Sequence, residues 1–182
     1  MKTREQYENI FQTATTKMLP KFPLENIRPA FQKRGGKTGK VIKEDGTAVA
    51  LTPFDNGSDY IYFNIKLDTE NSESYVYPNG EVDITRVFQV VYTIYGNNSA
   101  GVALLIKSLI RTQFMQNFFN QNGFYLLNED EISQINEVIN EEYWERRDLT
   151  LTFNERVEIK VPEFDNLAII QDGKVIVDGG IK

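Results

Sequence analysis

Neither cysteine nor histidine occurs in the 182 residues. The first absence removes disulfides and thiolate metal sites and fits a reducing compartment. The second removes the commonest general base, so acid–base chemistry would fall to Asp, Glu, Lys or Tyr. Long apolar runs are missing too. No stretch approaches the roughly 20 residues of a membrane span, and the opening MKTREQYENIF has no apolar signal core. No membrane partner is expected. Positive charge is in deficit, with 20 Lys and Arg against 26 Asp and Glu and a net charge of −6. An acidic surface repels phosphate, which argues against duplex DNA as a wrapped partner.

What remains is ordinary globular material, 41% apolar and 25% charged. A chain of this length can bury roughly 70% of its unfolded surface. Residues 1–182 therefore read as a single domain. Tyr7, Ile10, Phe11, Ala14 and Met18 share one face of a helix over 3–18, which Pro20 and Pro23 stop. Residues 33–50 read as a flexible basic loop, or as a long hairpin whose tip holds the glycines. They carry Lys33, Arg34, Lys37, Lys40 and Lys43 before any acid, with a turn signal in EDG at 44–46. Ile61, Phe63, Ile65 and Leu67 alternate in a strand, DTENSES reads as a polar loop and PNG at 78–80 as a turn. The strand over 83–96 is apolar on both faces, as a central strand is.

A long helix is predicted over 99–122, capped by Ser99 and stopped by Gly123. Its apolar side changes at Thr112: Val102, Leu105, Ile106 and Leu109 lie on one side, Phe114, Met115, Phe118 and Phe119 on the other. One helix cannot bury both stripes against one flat sheet. A further helix is predicted over 128–143, with Asn128 and Glu131 at capping-box spacing and a stripe of Ile132, Ile135, Ile139 and Tyr143. The strand 148–153 follows, NER turns the chain, and Val157, Ile159 and Val161 alternate with charges. The segment 162–182 reads as a C-terminal hairpin arm around Asp172-Gly173. The fold class is α+β: a mainly antiparallel β-sheet flanked by helices, with the long basic loop and the C-terminal arm.

Chemical motifs fail on inspection. GKT at 36–38 lacks the leading glycine of a phosphate loop, since Phe31 stands there. GNNSAG lacks the first glycine of a nucleophile elbow, and no histidine is present to serve Ser99. The acids at 129–131, 137, 141, 142 and 145 have no metal-ligand spacing. No catalytic residue, metal site or cofactor is expected.

One order of elements does carry information. A long strand ends in Tyr95-Gly96, and a helix with small residues near its start runs through Leu109. Then a Glu142, Trp144, Glu145, Arg147 cluster runs into Leu149, Leu151 and Phe153. Over residues 59–161 this resembles the neck or tail terminator family of tailed bacteriophages. The basic loop and the C-terminal hairpin lie outside the resemblance. It implies a homo-hexameric ring that ends the tail tube and docks on the head connector or stopper protein, with the tail sheath as a further neighbour. DNA would pass through the lumen without specific binding. The location would be the virion neck, after assembly in the host cytoplasm.

The resemblance gives the oddities of the sequence a use, because a ring subunit needs two different lateral faces. Phe114, Met115, Phe118 and Phe119 are candidates to meet a neighbour or the tail of the chain; the other reading is a kink near Thr112, or coverage by the first helix. Arg146 and Arg147 project to opposite sides of a strand, one to pair within the subunit and the other across the ring, with Trp144 anchoring the preceding helix end. Lys33, Arg34, Lys37 and Lys40 would face an acidic protein partner. The alternatives are another head–tail adaptor such as a stopper, or a soluble module binding a small ligand near Phe114 and Phe118. An enzyme built on a carboxylate pair ranks below both.

Overall fold

A computed structural model describes residues 2–30, 40–42, 48–50, 58–76, 81–139, 141–160, 169–171 and 174–176. The first helix, α1 (Arg4–Met18), opens on a reciprocal cap. The Thr3 hydroxyl accepts from the Gln6 N–H, and the Gln6 side chain accepts from the Thr3 N–H at 2.8 Å. It buries Tyr7, Phe11, Ala14, Thr15 and Met18 on one face and ends just before Pro20, as its periodicity requires. A single 3-10 turn, Leu24–Asn26, then leads into the short strand β1 (Ile27–Pro29).

The main sheet has six strands. The strands β4 (Tyr60–Val76), β5 (Glu81–Tyr95) and β8 (Glu142–Lys160) lie side by side and antiparallel. β1 adds to the outer edge of β4 in parallel, and β5 takes the central place that its two apolar faces predict. The other edge of β8 is shared in succession: β6 (Phe124–Glu129) pairs with residues 151–155, and β7 (Ser133–Ile139) with residues 142–148. Two separate two-stranded hairpins complete the described elements. The strands β2 (Lys40–Ile42) and β3 (Ala48–Ala50) form one; β9 (Ile169–Gln171) and β10 (Lys174–Ile176) form the C-terminal one. EDG at 44–46 falls between β2 and β3, and both it and Gly35, Gly36 and Gly39 lie outside the described residues.

The core lies between one sheet face and the helices. Ile61, Phe63 and Ile65 of β4, Phe88, Val90, Tyr92 and Ile94 of β5, and Leu149, Leu151 and Phe153 of β8 supply the sheet side. Phe11 sits at its centre, with ring centroids 5.2 Å from Phe153, 5.5 Å from Phe119 and 5.8 Å from Phe124. Aromatic rings at these spacings add to plain area burial, roughly 1 kcal/mol per pair.

Five sequence expectations about these elements are corrected. The helix over 128–143 does not form: β6, β7 and the start of β8 occupy it. Ile132, Ile135, Val138 and Ile139 are β-branched, which suits strands, and the edge of β8 supplies a pairing ladder that an amphipathic helix would leave empty. NER at 154–156 is no turn, because β8 runs straight through it. DTENSES is no loop, because β4 continues to Val76 after a register irregularity between Leu67 and Ser72. The long helix over 99–122 is two helices, α2 (Ser99–Leu109) and α3 (Gln113–Gln121). α3 is restarted by the Thr112 hydroxyl, which accepts from the Met115 N–H. The break at 110–112 resolves the exchange of apolar sides, since each short helix turns part of its own stripe to the same core, Val102 and Ile106 from α2 and Met115 and Phe119 from α3. Asn98, not Ser99, is the α2 cap position, and Ser99 is buried in the first turn.

The corner from β5 into α2 depends on Gly96. Its φ is +116°, a conformation that side chains disfavour, and a Cβ there would meet Asp59 Oδ1 at 2.2 Å and Asp59 Cα at 2.8 Å. The close approach has a purpose. Asp59 Oδ1 accepts from the Asn98 N–H at 3.1 Å, and the Gly96 N–H reaches the Glu145 carbonyl at 3.2 Å, so β4, β5, α2 and β8 meet at one point. We expect Gly96→Ala to lower stability by about 3 kcal/mol, read as a lower urea midpoint with an unchanged slope. A Gly101→Ala control, whose only close neighbour is the Asn98 side-chain amide, should cost much less.

Candidate functional site

The four aromatic and methionine positions of α3 do not act as one surface. Met115 and Phe119 are buried in the core, where Phe119 touches Phe153 at 5.0 Å. Phe118 is partly buried against Phe119, with the Lys17 ammonium 5.9 Å from its ring centre. Phe114 alone points outward, with 61% of its surface exposed. Coverage by α1 and a break at Thr112, the alternatives open from sequence, are both realised. Of the basic set, Lys33, Arg34, Lys37 and Lys43 lie outside the described residues, and Lys40 begins β2. The phosphate-loop-like GKT at 36–38 also lies outside them.

Arg146 and Arg147 do lie on opposite sides, in register with Tyr95 and with core-facing Ile94 respectively. Arg146 is held on the helix-free face. Its Nε and Nη2 donate to both oxygens of Asp148 at 2.8 and 2.6 Å, and its Nη1 donates to Glu137 on β7. The bond to Asp148 raises the guanidinium pKa further above its ordinary value. The Tyr95 hydroxyl donates to the second Glu137 oxygen at 2.8 Å; burial, then that carboxylate, pushes the phenol up to about 12. Trp144 is buried edge-on to Tyr95 at 6.4 Å; it sits in a strand under this cluster and anchors no helix end. Arg147 pairs only loosely with Glu145, at 3.6 Å.

A second charged cluster escaped sequence reasoning. Arg86 and Glu155 are register partners on β5 and β8, and both point into the core, where Glu155 is 1% exposed. Arg86 Nη2 donates to Glu155 Oε2 at 2.8 Å, and the Lys2 ammonium reaches Oε1 at 2.8 Å. The Tyr7 hydroxyl donates to Oε2 and accepts from Arg86. Burial pushes the Glu155 pKa up, but the bonds from Lys2, Tyr7 and Arg86 outweigh it and leave the carboxyl below its usual range. Burial and the same carboxylate push the Tyr7 phenol well above its ordinary value. The signal was present in the sequence: Glu155 falls in phase with Leu149, Leu151 and Phe153, and Arg86 with Phe88 and Val90. A charge on the inward phase of one strand calls for an opposite charge on its neighbour. No substrate reaches a carboxylate so enclosed, so this cluster holds the fold.

Among the described residues no group of three or more Asp or Glu side chains is placed to hold a metal ion. The outward surface is instead rich in large apolar side chains. Leu104 and Leu105 of α2, Phe114 of α3, Tyr125 and Leu127 of β6, and Val138 and Tyr143 of the β7–β8 hairpin are exposed. An open groove of about 550 Å³ runs between the segment leaving α1 and the first turns of α2.

A family model described as phage neck terminator protein matches residues 26–180. No curated protein matches the chain.

The two charged clusters are testable separately. The unfolded chain protonates Glu155 near the ordinary glutamate pKa of about 4.3, and the fold does so only at lower pH. The contribution of Glu155 is therefore present at neutral pH and lost as pH falls below that value. We expect Glu155→Gln to cost about 3 kcal/mol at pH 7 and to flatten the acid limb of stability against pH. On the other face, Arg146→Ala should cost about 2 kcal/mol through its charge-assisted bonds, and Arg147→Ala less than about 1 kcal/mol. Urea denaturation of the two variants checks the order.

Proposed function

The chain belongs to the phage neck terminator family, and we propose that six copies form a ring that ends the tail tube and joins it to the head connector. The coarser part of this reading belongs to the family itself: a structural neck protein of the virion with a head–tail joining role. The family match over residues 26–180 carries the proposal. The distribution of groups on the molecule supports it, since Arg86 and Glu155, and Arg146, Glu137 and Asp148, are engaged with each other within the chain while large apolar side chains face outward.

The partners are further copies of the chain, the last ring of the tail tube protein, and the connector or stopper protein above; in a contractile tail the sheath lies alongside. DNA passes through the lumen without specific binding, and the net charge of −6 supports a bore that lets phosphate slide. The basic residues Lys33, Arg34, Lys37 and Lys40 face an acidic protein partner. Assembly takes place in the host cytoplasm. Among the described residues no helix is long and apolar enough to cross a membrane.

Deleting the protein from an assembling phage tests the reading by electron microscopy of the lysate. The expected products are tails of uncontrolled length and separate filled heads. Tails of normal length without heads would assign the protein to the stopper position instead, and normal virions would overturn both.

A further inference from the structure

The β7–β8 hairpin outruns the sheet. β5 makes its last strand pair between Tyr95 and Arg146, and only the Gly96 N–H reaches on to Glu145. Beyond that point Val138 and Tyr143 are register partners near the hairpin tip. They are 62% and 83% exposed, and Tyr143 is the most exposed large apolar side chain among the described residues. Glu141, Glu142 and Glu145 are exposed beside them. Tyr143 is in phase with Leu149 and Leu151 on β8, so it points to the side of the sheet that carries the helices.

The groove of about 550 Å³ has the complementary character. Its apolar walls are Met18, Leu19, Phe22 and Pro23 on one side and Val102 and Leu105 on the other. The exposed Lys21 stands at its rim. Asp59 also lines it, but that carboxylate is already turned to the Asn98 N–H. The volume lies within the roughly 300–1,000 Å³ of side-chain-sized and ligand-sized sites.

Topology sets the two features apart. Asn26 and Asp59 bring the groove to the β1–β4 edge of the sheet, whereas the tip belongs to the β7–β8 edge. Two strand spacings, roughly 10 Å, separate Asp59, beside the start of β4, from the β8 strand that carries Tyr143. Both features lie at the same end, where β4 begins, β5 ends and β8 begins. Knob and hole do not satisfy each other within the folded subunit, where Tyr143 is 83% and Leu105 49% exposed. Repeated between copies they make a heterologous contact, which closes into a ring when its rotation allows.

We propose that the occupant of the groove is the tip of the β7–β8 hairpin of a second copy, entering by Val138 and Tyr143, with exposed carboxylate at the tip facing Lys21. This rests on the ring reading above and names the contact that builds the ring. Tyr143 buries its ring between Phe22 and Leu105, the kind of aromatic anchor that dominates interface energetics.

The test uses two single variants of the full chain, Tyr143→Arg and Leu105→Arg, both at exposed positions, with circular dichroism to confirm folding. Sedimentation velocity follows assembly. We expect each variant alone to shift association roughly tenfold or more towards higher concentration. We expect an equimolar mixture to form dimers and stop there, because one intact knob meets one intact hole and both remaining surfaces are disabled. Variants that assemble like the wild type would overturn the contact while leaving the ring standing. A wild-type chain monomeric at millimolar concentration would overturn the contact between free copies, whatever forms on a finished tail.

Discussion

A single buried carboxylate organises this molecule. Glu155 lies in a core of aromatic rings and stays charged only because three donors from three parts of the chain converge on it: Arg86 from β5, Tyr7 from α1 and Lys2 from the segment before it. An ion so enclosed costs several kcal/mol to desolvate and repays that only when its partners are all in place. The arrangement therefore selects one register between β5 and β8, and one axial position of α1 on the sheet. A slip of one residue in the strand pair would send Arg86 or Glu155 to the opposite face.

The position of α1 then fixes much else. With Tyr7 held at its start, Phe11 falls among Phe88, Phe119, Phe124 and Phe153, and Thr15 reaches the Tyr92 hydroxyl at 3.0 Å. The far end of the helix delivers Met18 to Pro23 as one wall of the groove. The other wall, the first turns of α2, is placed by the Gly96 corner and by Asp59. A surface feature at one edge of the sheet thus inherits its geometry from a charge pair in the core and a glycine at a chain reversal.

How legible was this in the sequence? Elements whose apolar spacing kept one period throughout were plain: α1 and β5. The order of Tyr95-Gly96, α2 and the Trp144–Arg147 cluster was sufficient to reach the family. What failed did so for physical reasons. Ile132, Ile135 and Ile139 have helical spacing by accident of an irregular edge strand, and the vacant edge of β8 is a tertiary fact that no local pattern reports. Asn154, Glu155 and Arg156 look like a polar turn because the buried charge of Glu155 is compensated by residues nearly 70 and 150 positions away. The outward-facing Tyr143 was read as the end of an apolar helical stripe, so the most exposed large apolar side chain among the described residues was assigned to the core.

That misreading shows how this chain separates its buried charges from its exposed apolar groups. The clusters around Glu155 and Arg146 are turned inward or locked across strands, where they specify register. Its large unburied apolar groups sit on short, well-braced supports: Leu105 on α2, Phe114 just after the Thr112 cap, Val138 and Tyr143 on a hairpin whose base is clamped by Arg146, Glu137 and Asp148. Bracing lowers the entropy cost of ordering those groups when they are covered. The broken helix serves the same end. By restarting at Thr112, the chain turns Met115 and Phe119 inward with Ile106, leaves Phe118 partly buried and Phe114 outside, so a run of residues that one straight helix would have spread around its circumference divides between core and exposed surface.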